Sequence, residues 1–256
     1  MVQSLHGSKI LITREANQAK QFAEMVITLG GIPVEAPLLR ISCKDGEENK
    51  QIFANLRDYK WIFFTSANGV NCFFQQAKKY QVGDLNPYKF ATVGHKTEMM
   101  LKEYGYQASF IPSTYNAEIM AEEFLDRFSE EGPALLVRGN RSRDVLPVEF
   151  TQQQLAFDAM EVYETTVNYD SKEKLNQILT EDEIDFITFT SPSTVEAFME
   201  MAEVKREANV VCIGTTTEHR AEELGLRPIN TPKEFTTEAM LLSICEYINR
   251  KDQKHV

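Results

Sequence analysis

The sequence predicts an α/β protein made of two copies of one parallel-sheet unit. Three observations carry that expectation. Short β-rich runs alternate with helical patterns along the chain, a polar strand-end motif occurs twice, and the composition is that of a packed globular protein. With 256 residues, 43% apolar and 25% charged, the chain can bury a substantial core without metal or disulfide staples.

The elements follow in order. "KILITR" from Lys9 reads as a first strand. The next stretch sets Ala16, Ala19, Phe22, Ala23, Val26 and Leu29 at helical spacing and stops at a glycine pair. "IPVEAPLL" from Ile32 reads as a second strand, "WIFFTS" from Trp61 as a third, "FATVG" from Phe90 as a fourth and "ASFIP" from Ala108 as a fifth. Helical patterns separate most of them, and such alternation implies parallel strands covered by crossover helices.

The second half repeats the first. "FTSANGV" from Phe64 returns as "FTSPSTV" from Phe189, bringing Ser66 onto Ser191, Val70 onto Val195 and Phe73 onto Phe198. A second block brings Gly94 onto Gly214, Thr97 onto Thr217, Gly105 onto Gly225, Pro112 onto Pro232 and Glu118 onto Glu238. "ILITR" matches "LLVRG", with Arg14 on Arg138. The repeated unit is about 120 residues, a common domain size.

Several function classes are disfavoured by composition. A formal charge of −11 argues against nucleic acid, which requires a basic surface to displace counterions. No run approaches the eighteen or so apolar residues of a membrane span, and the N-terminus has no signal-peptide core, so a soluble cytoplasmic protein is expected. Cys43, Cys72, Cys212 and Cys245 form no C-x-x-C pair and read as small core or surface fillers. His6, His95, His219 and His255 have no metal-ligand spacing. Neither G-x-G-x-x-G nor G-x-x-x-x-G-K-[ST] occurs, so no nucleotide, metal or other cofactor is expected.

Both copies place small polar residues at strand-to-helix turns: Thr65, Ser66 and Asn68; Gly94 to Thr97; Ser191, Ser193 and Thr194; and Gly214 to Thr217. In open parallel sheets ligands bind beyond the carboxyl ends of the strands. Free backbone N–H groups and hydroxyls there can hold anions without net positive charge. The same residue types are also preferred helix N-caps. Taken singly each hydroxyl reads as structural, and the functional reading rests on the set.

"FTSANGV", "ATVGHKTEMMLKEYGY", "LLVRGNRSRDVLP", "MEVYET", "FITFTSPSTVEAF" and "VCIGTTTEHRAEELGL", in this order, resemble uroporphyrinogen-III synthase from Lys9 to about Ile248. The resemblance implies two flavodoxin-like parallel-sheet domains joined by a two-stranded β linker, with the active site in the interdomain cleft. One domain would comprise 1–36 with 167–256 and the other 37–166, with linker strands near 36–42 and 161–167. The implied reaction closes hydroxymethylbilane, a linear tetrapyrrole with eight carboxylates, to uroporphyrinogen III with loss of water and inversion of the last ring.

The resemblance also implies residue roles. Tyr163 matches the family tyrosine facing the cleft and acts either as proton donor to the leaving hydroxyl or as an aromatic anchor. Thr65, Ser66, Asn68, Thr97, Ser191, Ser193, Thr216 and Thr217 fall at substrate-binding turns. Asn68 stands where many relatives carry a basic residue, and Thr215 replaces a frequent proline. Arg14, Arg138, Arg141 and Arg143 are counter-charges for substrate carboxylates, with surface ion pairing an equal alternative for Arg14, Arg138 and Arg143. Glu118 and Glu238 read as first-turn helix residues. A monomer is expected, with transient contact to the deaminase that supplies the bilane. The alternative from another class is a non-enzymatic hinge-closing binding protein for a polycarboxylate.

Overall fold

The computed structural model describes residues 3–203 and 208–252. The chain divides into two compact units, one formed by residues up to Arg40 together with those from Thr166 onward, the other by Ile41–Thr165.

In the first unit, strand β1 (Lys9–Ile12) leads into helix α1 (Ala16–Thr28) and strand β2 (Ile32–Glu35). Helix α1 buries Ala19, Phe22, Ala23 and Val26, the face its spacing predicts. The second unit runs β3 (Leu39–Cys43), α2 (Glu47–Ala54), β4 (Trp61–Phe64), α3 (Ala67–Lys79), β5 (Lys89–Thr92), α4 (His95–Glu103), α5 (Ala117–Phe128), β6 (Ala134–Gly139), α6 (Val145–Gln152) and β7 (Phe157–Val167). The first unit resumes with α7 (Lys172–Glu181), β8 (Phe186–Phe189), α8 (Pro192–Met201), β9 (Asn209–Cys212), α9 (Thr215–Glu223), β10 (Pro228–Asn230) and α10 (Thr237–Asp252).

The first sheet has the order β10-β9-β8-β1-β2 and the second β3-β7-β6-β4-β5. In the first sheet every neighbouring pair is parallel, as are β7-β6, β6-β4 and β4-β5 in the second. β3 runs against β7, since Lys44 N–H bonds Val162 O at 2.8 Å and Asn168 N–H bonds Leu38 O at 2.8 Å. Both faces of each sheet are buried, as parallel sheets require. Ile10 and Ile12 of β1 enter one core and Leu11 the other. Trp61 and Phe63 of β4 likewise oppose Ile62 and Phe64. Each such ring or branched chain contributes roughly 1.5–3 kcal/mol by burial.

The duplication is visible residue by residue. Positions 61–70 and 186–195 share one pattern of burial, and so do 91–100 and 211–220. Placing β6 on β1 and β7 on β2, the order β7-β6-β4-β5 matches β2-β1-β8-β9.

Three expectations need correction. "ASFIP" is not a strand: Phe110 makes an isolated parallel bridge to Ala91. Pro112 has no N–H to extend the ladder. The counterpart in the other copy does form a strand, β10. "IPVEAPLL" is not continuous either, because the chain leaves β2 at Ala36-Pro37 and enters β3 in the other sheet. Finally, Cys43 and Cys72 are not independent fillers. The end of β3 and the middle of α3 bring their Cα atoms to 5.3 Å, and the sulfurs form a disulfide. Cys212 and Cys245 remain buried free thiols. Burial, with Glu218 and Glu222 adding to it, pushes the Cys212 thiol up to about 12.

A buried polar pair ties α2 and α3 to β7. Asn49 Nδ2 donates to Gln76 Oε1 at 3.0 Å and Glu161 O at 2.9 Å, while Gln76 Nε2 donates to Lys44 O at 3.0 Å and Val162 O at 3.2 Å. Buried amides satisfied on this scale specify a unique arrangement. Here they fix the strand that carries Tyr163.

At the opposite end of β4, Glu131 accepts from Trp61 Nε1 at 3.0 Å and pairs with Lys89 Nζ at 2.7 Å. Lys89, and to a lesser degree Trp61, hold the Glu131 carboxyl below its ordinary value of 4.5, against partial burial. A depressed carboxylate pKa contributes stability that is present above the unfolded value and lost as pH falls through the folded one. Trp61 is the sole tryptophan. Its emission is expected to shift below about pH 4.5 and to lose that pH dependence in Glu131→Gln; an identical acid shift in the variant would refute this role for the carboxylate.

Candidate functional site

Two helices that follow core strands are capped by serine. Ser66 Oγ accepts Gly69 N–H at 3.0 Å at the start of α3. Ser191 accepts Thr194 N–H at 3.3 Å in a capping box with the Thr194 hydroxyl. The capping reading of these two serines is therefore correct, and for Ser66 a second bond adds to it. Ser66 Oγ donates to Tyr163 Oη at 3.0 Å.

Tyr163 lies in β7 beside Gly139 of β6, where the register shifts between Arg138 and Gly139. Its ring lies on the glycine: a Cβ at Gly139 would stand 2.4 Å from Tyr163 Cε2 and Cζ. No side chain other than hydrogen fits there. Gly69 N–H, Ser66 Oγ and Tyr163 Oη thus form a directed chain in which the phenol oxygen accepts and its own proton is left to donate elsewhere. Sequence reasoning singled out Ser66 and Tyr163 but missed Gly139, although it stands inside the quoted "LLVRG".

Of the remaining turn residues, Thr65, Asn68 and Ser193 are half-buried and Thr216 is exposed. Thr65, Asn68, Ser193 and Thr216 make no side-chain hydrogen bond among the described residues. Thr97 and Thr217 are buried inside the first turns of α4 and α9, where they belong to the helix rather than presenting hydroxyls outward. Gly94 and Gly214 precede those helices, and neither helix has a side-chain cap. Their leading N–H groups are left for an outside acceptor.

The arginines separate into two kinds. Arg138 binds its own loop, donating to Ser142 O and Asp144 Oδ1, each at 2.7 Å. Arg143 pairs with Glu118 through two bonds, at 2.7 and 3.3 Å. The Glu118 carboxyl lies below its ordinary value, first through a backbone hydrogen bond and then through Arg143. Arg141 is exposed. Arg14, beyond the carboxyl end of β1, makes no ion pair among the described residues, and Nη2 donates to Gln18 at 2.7 Å. Its Nε is buried without a partner. Burial lowers the Arg14 pKa, while Glu15 and Glu238 raise it.

Each unit is thus a mainly parallel α/β sheet whose carboxyl-end turns combine hydroxyls and uncapped amides. Hydroxyls and free amides of this kind at helix starts are able to accept anionic groups. The family described as uroporphyrinogen-III synthase HemD matches residues 20–241. The chain is 30% identical over 251 residues to a porphyrin biosynthesis protein HemD of Ruminiclostridium josui, covering 96% of this chain and 50% of that one. It is 26% identical over 246 residues to the uroporphyrinogen-III synthase of Chlorobaculum parvum, covering 93% of this chain and 98% of the relative. The solved uroporphyrinogen-III synthetase of Helicobacter pylori superposes with TM-score 0.65 at 17% identity, covering 96% of this chain and 99% of that one. A mutant synthase of Thermus thermophilus gives 0.63 at 16%, with coverage of 97% and 100%.

The chain belongs to the uroporphyrinogen-III synthase family. It spans about half the length of the Ruminiclostridium relative. The alternative of a hinge-closing binding protein finds no support in these matches.

Proposed function

We propose that this chain closes hydroxymethylbilane to uroporphyrinogen III, with Tyr163 as proton donor. The observation that carries the assignment of Tyr163 is the Gly69–Ser66–Tyr163 chain at the strand ends. Accepting the Ser66 hydrogen bond makes the phenol a better donor to a departing hydroxide.

Loss of the hydroxyl is driven from within the bilane by its pyrrole nitrogen and needs one proton, which Tyr163 supplies. The resulting azafulvene closes at the substituted carbon of the last ring through a spiro intermediate, and the inverted ring follows. Closure without inversion occurs unaided, so the protein's task is to select a conformer. Orientation by binding performs that task.

Within each copy taken by itself, the donors open to a carboxylate are Thr65 and Asn68 with the amides of α4, and Ser193 and Thr216 with the amides of α9. Arg14 is the arginine assigned a direct carboxylate contact. Arg138 and Arg143 act by holding the loop that ends β6. The net charge of −11 is screened over about 8 Å at physiological salt, so local donors decide. The strand orders support the flavodoxin-like pair of domains expected from the resemblance. A cytoplasmic monomer that receives bilane from the preceding deaminase completes the reading.

The assay supplies bilane generated from porphobilinogen by a deaminase, oxidises the product and resolves the porphyrin isomers. Type III product is expected, and type I alone overturns the proposal. Tyr163→Phe is expected to lower kcat about a hundredfold with KM little changed. An unaltered kcat would leave the tyrosine an anchor only.

A further inference from the structure

Strand β6 ends at Gly139, immediately after its register against β7 shifts. Arg138 pairs with Glu161 and Gly139 with Tyr163, so Val162 is an extra residue in β7. A bulge of this kind re-aims the side chain that follows it, and here the side chain that follows is Tyr163. Because β6 stops there, β7 continues past Tyr163 with no strand residues left to pair on the β6 side. Asn140, the next residue of the chain, supplies that pairing by other means.

Asn140 N–H donates to Tyr163 O at 3.2 Å. Its side chain then takes over: Thr165 N–H donates to Asn140 Oδ1 at 2.9 Å, and Asn140 Nδ2 donates to Thr165 O at 3.4 Å. A carboxamide carries the donor and the acceptor of a peptide group, so it meets both backbone groups of one residue as a neighbouring strand would. The capping role usual for asparagine does not apply, since α6 starts at Val145 and follows Asp144. Under the alignment that sets Arg14 on Arg138, Asn140 falls on Ala16, whose side chain has no polar group. The clamp therefore belongs to the copy that carries Tyr163.

We propose that Asn140 is a positioning residue for the ring closure, its bonds to Tyr163 and Thr165 fixing the backbone that aims the Tyr163 phenol. This rests on the reading of Tyr163 as proton donor given above. Gly139 gives the tyrosine ring room and Ser66 orients Oη, but neither holds the main chain. Ahead of the tyrosine the main chain is held at Val162 O, which accepts from Lys44 N–H at 2.8 Å and from Gln76 Nε2 at 3.2 Å. Asn140 holds it at the tyrosine and beyond. The phenol oxygen stands at the far end of its side chain, so a small rotation of the main chain at residue 163 is magnified there. Donation to the leaving hydroxyl requires that oxygen to be placed within about 1 Å.

The test is steady-state kinetics of the full chain on deaminase-generated bilane, with product isomers resolved. Wild type is compared with Asn140→Ala, Asn140→Asp, Tyr163→Phe and the double variant of each Asn140 change with Tyr163→Phe. Asn140→Ala is expected to lower kcat about tenfold and to leave KM within about twofold. Asn140→Asp keeps the acceptor for Thr165 N–H and loses the donor, so its loss should be smaller. In the Tyr163→Phe background neither change should lower kcat by more than about twofold, because the atom being positioned is gone. Asn140 is exposed, so the melting temperature should fall by only a few degrees. Should Asn140→Ala fail to fold, Asn140→Asp and its double variant carry the same test. Wild-type kcat in the Asn140 variants, or full additivity with Tyr163→Phe, overturns the positioning role and leaves the synthase reading intact. Wild-type kcat in Tyr163→Phe removes the proton donor and this inference with it, while type III product still upholds the synthase. Type I product from wild type overturns the synthase reading and this inference together.

Discussion

Gly139→Ala is expected to lower kcat at least about a hundredfold while the chain stays folded. The added methyl would stand 2.4 Å from two carbons of the Tyr163 ring, so the ring must move by an ångström or more. Misplacing a catalytic group by about 1 Å costs roughly 10² in rate. The displacement also breaks the Ser66–Tyr163 bond of 3.0 Å. The variant should therefore be no better than Tyr163→Phe, even though it keeps the phenol. A Gly139→Ala/Tyr163→Phe double variant separates this from general damage: if the alanine acts through the phenol, the second change adds little. Full additivity, or a Gly139→Ala enzyme with wild-type turnover, would sink the argument. Half-buried Tyr163 can swing outward to admit the methyl, so the melting point should drop by only a few degrees.

The second large effect concerns stability. Breaking the Cys43–Cys72 link, which closes a sequence separation of 29, removes a constraint worth about 3–4 kcal/mol in the chain-entropy account. For a unit of this size that corresponds to a fall of about 10 °C in melting temperature. Cys43→Ser/Cys72→Ser is expected to melt where reduced wild type melts and to ignore reductant. Alkylation after unfolding should label two cysteines in the oxidised chain and four after reduction. Four labelled cysteines without reductant would refute the pairing. The link joins the end of β3 to α3, the helix capped by Ser66, so reduction should also loosen the turn that supports Tyr163.

The sheets were largely legible because a buried strand leaves a dense apolar signature, as in Trp61–Phe64, and because the second copy restates the first. Legibility failed where tertiary context decides. "ASFIP" is the more β-rich of two segments at matching positions, yet it makes a single bridge and its counterpart forms the strand β10. Cys43 and Cys72 carry no spacing rule that marks them as partners, and only the approach of β3 to α3 makes them so. At the site, Ser66 and Ser191 could be identified as caps from residue type alone. What could not be read was which arginine is already paired: Arg138 and Arg143 pair with Asp144 and Glu118, and Arg14 makes no ion pair among the described residues. Gly139 and Asn140 matter through what lies beside them in space.

The discontinuity of the first unit bears on how the chain is made. During synthesis β1, α1 and β2 emerge first, but β1 sits between β2 and β8, and Ile10 must wait for Phe186. Meanwhile every strand from β4 to β7 completes a sheet from a contiguous stretch. A nascent chain therefore carries an unfinished sheet edge, Ile10 to Ile12 among it, past the folding of a whole intervening unit. Edges left open for that long are where pairing with a neighbouring chain begins. The short four-residue β1 and β2 limit how much edge is offered while the chain waits.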